Sequence, residues 1–281
     1  MENMRGAYEQ QQLNGIEAWE AQPPSTMART MGFIAAPLAW AAQKMIPEEI
    51  MEKAIDAALK AAAAVSGSDD LLTDAKKLGF DAASVRDLAK APLHVSDGLA
   101  ENVITWAKGL AAAEGAVTGM TGLPGLTADI PALLVLTIRT IRRLGACYGF
   151  DSAEEAERSF ILQTLRAGAA NSMEDKKSAI TGAAEIRTVL DAPDTAVSTR
   201  EQGSILGREA FAAAIRNVAK QLCINLTRRK AVQVIPVVGG GVGAAMNVMF
   251  VSDVAEAAFR LYQKRRLEIQ AVSTSAALAK K

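Results

Sequence analysis

The chain has a single histidine, His94, and two cysteines, Cys147 and Cys223, among its 281 residues. So few soft ligands leave no His/Cys cluster for zinc and no histidine pair with a carboxylate for iron, which argues against a metalloenzyme, and no metal is expected. The cysteines stand far apart in apolar helical patterns and read as reduced core thiols in a reducing compartment. Aromatic residues are also scarce, at 5% of a chain that is 50% apolar. The apolar excess is therefore aliphatic and alanine-rich, which favours closely packed helices over a β-sandwich. Neither sign of charge dominates, with 31 basic and 31 acidic residues, so the chain has no global field to attract nucleic acid, and nucleic acid is not an expected partner. No stretch alternates with period two over six residues, and the one β-branched cluster, Val232 to Val238, is cut by Pro236; no sheet is expected.

Catalytic signatures are equally sparse. There is no Gly-x-Ser-x-Gly elbow, and a Ser-His-Asp triad would have to use His94, which sits beside Pro92 like a helix-start residue. The run Gly239-Gly240-Gly241-Val242-Gly243 lacks the Lys-Ser/Thr of a P-loop and the strand–turn–helix context of a dinucleotide site, so no cofactor is expected. Residues 1–20 carry Glu2, Arg5, Glu9, Glu17 and Glu20 and no continuous apolar core, unlike a secretory signal, which points to the cytoplasm.

What is present is a succession of helical patterns. A short amphipathic helix ends at Pro23-Pro24, a second apolar stretch over 25–44 is kinked at Pro37, and Pro47-Glu48-Glu49 opens a helix to about Val65. Short helices at 70–78 and 81–90 flank Gly79, and Pro92 begins an element reaching Ala113. Two amphipathic helices follow at 152–170 and 173–190, then a loop at 191–195, a long helix over 203–229 and a final charged helix. The expected organisation is an N-terminal helix (1–24), one all-α multi-helix bundle (25–266) and a flexible tail (267–281).

Two apolar segments, the first with Asp129 as its one charge and the second with none, organise that bundle. The first spans about 115–138, with glycine at 115, 119, 122 and 125, Pro124, and Asp129 followed by Pro131; the second, Ala231 to Ser252, carries Pro236 and the Gly239–Gly241 run. The second meets the length of ~20 residues needed for a membrane span. Interior glycine and proline instead predict a hairpin for each: apolar arm, tight turn, apolar arm. Asp129 and Pro131 suit an N-cap and first turn, so the second arm of the first hairpin is predicted to begin there and run to Tyr148. Basic residues flank both segments: Arg139, Arg142 and Arg143, then Arg228, Arg229 and Lys230, and the group at 260–266. Such rims can attract anionic lipid headgroups at about 1 kcal/mol per residue, or can simply be the solvated edge of a buried hairpin.

The string Glu114-Gly115, Gly119-Met-Thr-Gly122-Leu-Pro-Gly125, Asp129-Ile-Pro131, Arg139-Thr-Ile141 and Tyr148-Gly149-Phe-Asp151, with Ile235-Pro-Val-Val-Gly239 and Asn247 downstream, resembles the EcsC family of bacterial proteins. Tyr8-Glu9, Trp19 and Ile46-Pro47-Glu48 extend the resemblance over roughly residues 8–266. It implies an α-helical, bacterial, membrane-proximal protein, accessory to a membrane transporter, and it brings no catalytic residues.

The leading expectation is a cytoplasmic helical protein, peripheral on the inner face of the membrane. It would bind anionic lipid or an apolar ligand through Gly119, Gly122, Pro124, Gly125, Arg139, Arg142, Pro236, Gly239, Gly241 and Asn247. If the protein is an enzyme, Glu114 and Asp129 are the carboxylates of a hydrolase acting on a membrane-derived substrate. Favoured over that role, Asp129 and Asp253 read as helix caps or as partners of Arg139 and Arg142. A protein-binding or homo-oligomeric module is the third possibility. Trp19, Trp40 and Trp106 read as core anchors.

Overall fold

A computed structural model of the chain describes residues 2–25, 48–64, 68–119, 123–150, 155–190, 213, 215–222, 225 and 239–278. Its helices are α1 (Glu2–Ala21), α2 (Glu48–Ala64), α3 (Ser68–Lys77), α4 (Leu93–Gly119), α5 (Leu123–Cys147), α6 (Glu155–Ala169), α7 (Met173–Leu190) and α8 (Gly239–Leu278), with a 3₁₀ turn at Val85–Lys90. Residues 215–222 are helical as well, and no described residue lies in a strand. The protein is thus an all-α multi-helix bundle.

The helix ends follow from local chemistry. Pro23 and Pro24 stop α1 just after Ala21. The carbonyl of Pro92 accepts from the amides of Val95 and Ser96 and so starts α4. Ser172 caps α7 by accepting the Asp175 amide at 3.1 Å, and Glu174 and Asp175 complement the dipole of its first turn. α3 and α5 terminate alike. Phe80 N–H returns to Ala75 O and Gly79 N–H to Lys76 O, just as Phe150 N–H returns to Gly145 O and Gly149 N–H to Ala146 O. Both Gly79 and Gly149 have φ of 87°, the left-handed cap that glycine adopts without penalty.

α8, 40 residues and about 60 Å long, is the spine. It packs most extensively against α4 and also against α5, α6 and α1, while α5 packs on α2 and α4, and α6 pairs with α7. On α4 the residues Leu99, Val103, Ala107 and Ala111 recur every fourth position and are all buried, a narrow stripe of mostly small side chains that admits close neighbours. At the α6–α8 crossing a Cβ on Gly168 would stand 2.4 Å from the Val254 Cα, so glycine is what lets the two backbones meet.

Several expectations are corrected. α5 does not begin at Asp129: it starts at Leu123, with Pro124 in its first turn, and carries Pro131 inside. Proline in a helix interior removes one backbone bond. Here Ile130, Leu133, Leu134, Leu136, Ile138, Ile141 and Leu144 are all buried around it, and that packing holds the helix continuous. Neither Asp129 nor Asp253 caps a helix, because both lie within helices. Gly239 and Gly241 do not bend a hairpin but open α8, which runs unbroken through Asp253 and the basic group and past Gln270 to Leu278. Likewise α4 continues through Gly115 to Gly119 instead of ending near Ala113. Gly122, Pro236, Pro37, Trp40 and the 191–195 loop lie outside the described residues.

The apolar arm of α5 is core. Among the described residues no helix is long and apolar enough to cross a membrane, and the only large exposed hydrophobics are Ile50, Leu78 and Val272, which are scattered along the sequence.

Candidate functional site

Asp97 sits in the apolar run Leu93, Val95, Leu99, Ala100 and is itself only 3% exposed. An isolated carboxylate there would be costly, and three donors answer it. Tyr148 Oη donates to one carboxylate oxygen at 2.7 Å, and Tyr8 Oη and Gln263 Nε2 donate to the other at 2.7 and 2.9 Å. Burial nevertheless holds the Asp97 carboxyl above its ordinary range, because the three hydrogen bonds and the Arg260 charge only partly offset desolvation. Burial, reinforced by Asp97, pushes the phenols of Tyr8 and Tyr148 well upward in turn.

The network extends outward. Gln263 Nε2 also donates to Gln12 Oε1 at 3.3 Å, and Arg260 Nη1 donates to Gln263 Oε1 at 3.3 Å and to Gln12 Oε1 at 3.5 Å. One polar node therefore ties α1, α4, the end of α5 and α8 together. Gly149 fixes the chain just after Tyr148, since a Cβ there would lie 2.4 Å from the Ala89 backbone nitrogen. A second buried pair joins Arg265 to Glu157 at 2.6 Å, with the guanidinium 4.0 Å from the Phe150 ring centroid. Asp97 and the Arg265–Glu157 pair are buried, and both clusters tie helices together.

At the other end of α1, Lys176 of α7 donates to the carbonyls of Trp19 and Gln22, the latter at 2.8 Å, and its ammonium lies 4.2 Å from the Trp19 ring centroid. A cation on the last carbonyls of a helix satisfies its C-terminus. Burial lowers the lysine's pKa, but its donors are committed to that cap.

The open chemistry lies elsewhere. Arg139 and Arg143, one turn apart on α5, place their guanidinium carbons 4.9 and 5.3 Å from the ring centroid of Trp106 on α4. Their Nε atoms are buried without hydrogen-bond partners, and among the described residues neither guanidinium forms an ion pair. Both line a cleft of about 390 Å³ between α3, α4 and α5, whose α3 side carries Asp70 and Asp74. Asp74 is engaged by Lys77 at 2.8 Å, whereas Asp70 makes no ion pair among the described residues. Stacking two arginines on one indole contributes about 0.5–2 kcal/mol per contact and holds both charges at a fixed place. Such an arrangement can bind an anion.

The expected basic rim therefore divides. Arg139 and Arg143 face the cleft, while Arg142 is buried and acts on the equally buried Tyr262. Glu114 is half-buried on α4 and has a partner; of Asp129, Pro124, Gly125 and Gly241 only the helical backbone is described. Gly119 ends α4, and Asn247 is buried within α8. Trp106 is half-buried: it packs against the core and also walls the cleft. Asp97 escaped sequence reasoning, although an acid set among buried apolar residues was a readable signal. Among the described residues no group of His, Cys, Asp or Glu is placed to hold a metal.

The sequence profile of the EcsC protein family matches residues 10–267. Uncharacterized protein YdbA of Bacillus subtilis (strain 168) is 32% identical over 185 residues, which are 66% of this chain and 62% of YdbA, so the match spans less than two thirds of that relative. Protein EcsC of the same organism is 26% identical over 223 residues, 79% of this chain and 81% of its own length. No solved structure matches. Tyr148 and Gly149, which carry part of the family resemblance, are here a buried hydrogen-bond donor and the left-handed glycine beside it. The extent of the match establishes that the chain belongs to the EcsC protein family.

Proposed function

We propose that the protein is a peripheral, membrane-associated binding protein of the bacterial cytoplasm that engages anionic lipid headgroups without catalysing a reaction, and that it works beside a membrane transporter. The observation that carries this reading is the Arg139–Arg143 pair stacked on Trp106 in an open cleft, two cations with no anion of their own among the described residues. Because the α5 arm of the first hairpin is spent on the core, membrane contact in this reading is electrostatic and reversible. The transporter partnership rests on the family resemblance alone.

Co-sedimentation with vesicles tests it. The protein is expected to bind vesicles rich in phosphatidylglycerol, to ignore pure phosphatidylcholine, and to release as salt shortens the Debye length below ~8 Å. Replacing both arginines (Arg139→Gln with Arg143→Gln) should cost about 2 kcal/mol, close to thirtyfold in the partition coefficient. Equal binding to neutral and anionic vesicles, or none to either, would discard the reading.

A further inference from the structure

The cleft has two unlike walls, and together they restrict what fits. On one side stand Arg139 and Arg143, whose guanidinium groups both lie against the Trp106 indole. One guanidinium suffices for one carboxylate, held by a two-bond fork. Two guanidinium groups in one cleft suit an anion with at least three oxygens and more than one negative charge, which is the character of phosphate. On the other side are Asp70 and Asp74, the second already held by Lys77 at 2.8 Å. A bare anion would satisfy the arginines and be repelled by Asp70. An anion joined to a group that donates hydrogen bonds satisfies both walls, with Asn102 of α4 beside them as a further polar contact. The opening of about 390 Å³ falls within the range of small-molecule sites, ~300–1,000 Å³. Long polyanions fare badly, since Asp70 and Asp74 line the same cleft as the arginines.

Resting on the lipid-binding reading above, we infer that the cleft between α3, α4 and α5 binds a phosphate ester of a short alcohol carrying its own hydrogen-bond donors: Arg139 and Arg143 take the phosphate, and Asp70 takes the hydroxyl or ammonium of the alcohol. This chemistry belongs equally to a phospholipid headgroup and to a soluble phosphorylated alcohol. Trp106 acts as the platform that keeps the two guanidinium groups together, not as a ligand contact.

The test is calorimetric titration of the full chain with glycerol 3-phosphate, O-phosphoethanolamine and inorganic phosphate, run beside the vesicle assay. Both esters should bind several-fold more tightly than inorganic phosphate. Arg139→Gln and Arg143→Gln should each weaken the esters by about tenfold, the loss of a charge-assisted hydrogen bond. Asp70→Asn should abolish the preference for esters over inorganic phosphate, while Arg86→Gln, an exposed arginine on the 3₁₀ turn, should change nothing. Thermal melts establish that each variant is folded, and Asp70, being exposed, tests the site at little risk to the core.

No binding of either ester, equal binding of esters and inorganic phosphate, or undiminished binding by the arginine variants would overturn the inference. The two readings fail separately. Anionic vesicles bound without free esters would remove this site and leave membrane association standing. Esters bound without vesicles would support the site with a soluble ligand and remove the membrane reading.

Discussion

Both oxygens of Asp97 are met by donors from other elements; Arg139 and Arg143 lie against a π-face and their Nε nitrogens have no hydrogen-bond partner. Both regions set charge against apolar helices, yet one is closed on itself and the other opens into a cleft. A closed polar node in a core positions elements, because leaving any member unpaired is costly. An open pair of cations adds little to stability and remains available to a ligand. The difference separates the residues that build this fold from those that can recognise something.

That contrast can be broken most sharply at Asp97. Asp97→Ala strands two phenols and an amide in the interior and should lower unfolding stability by about 3–5 kcal/mol, seen as a large drop in the urea midpoint. A midpoint unchanged within error would mean that the node is not structural.

A smaller effect concerns pH. The folded-state pKa of Asp97 is raised by burial, so between its unfolded and folded values the native chain binds more protons than the unfolded one. Its contribution to stability is complete below the ordinary carboxylate pKa of about 4 and declines as pH rises through the raised value. Asp97→Asn, although less stable overall, should remove that decline. Urea midpoints of the two proteins compared over pH ~4–7 should converge as pH rises, and parallel curves would contradict the burial argument.

The smallest stability effect belongs to the cleft. Arg139→Gln with Arg143→Gln should change unfolding stability by less than about 1 kcal/mol, since the lost cation–π contacts are offset by relief of two like charges one turn apart. Read with the binding losses given above, near-silence in the melt and a large effect on ligand would complete the contrast; a strongly destabilised double variant would make the arginines structural.

The amino-acid sequence by itself determined the class of fold and most helix ends. The Pro23-Pro24 stop, the Gly79 break, the start after Pro92 and the span of α7 were legible because each rests on local chemistry: missing N–H groups, left-handed glycine and side-chain caps. It also exposed the basic cluster 139–143 and the motif around Tyr148.

Only the tertiary structure decided the rest. Asp129-Pro131 predicted a helix start and the Gly239–Gly241 run a turn; α8 begins on the glycines, and α5 carries Pro131 inside it because the burial of Ile130, Leu133, Leu134 and the residues after them outweighs the propensity of one proline. Nor could sequence spacing say that Tyr8, Asp97, Tyr148 and Gln263 meet, when the Tyr8–Asp97 bond spans 89 positions and the Gln263–Asp97 bond 166. The same holds for the arginines. Whether each of residues 139, 142 and 143 enters the core or a cleft depends on which face of α5 meets α4 and α8, a long-range packing fact that no local pattern contains.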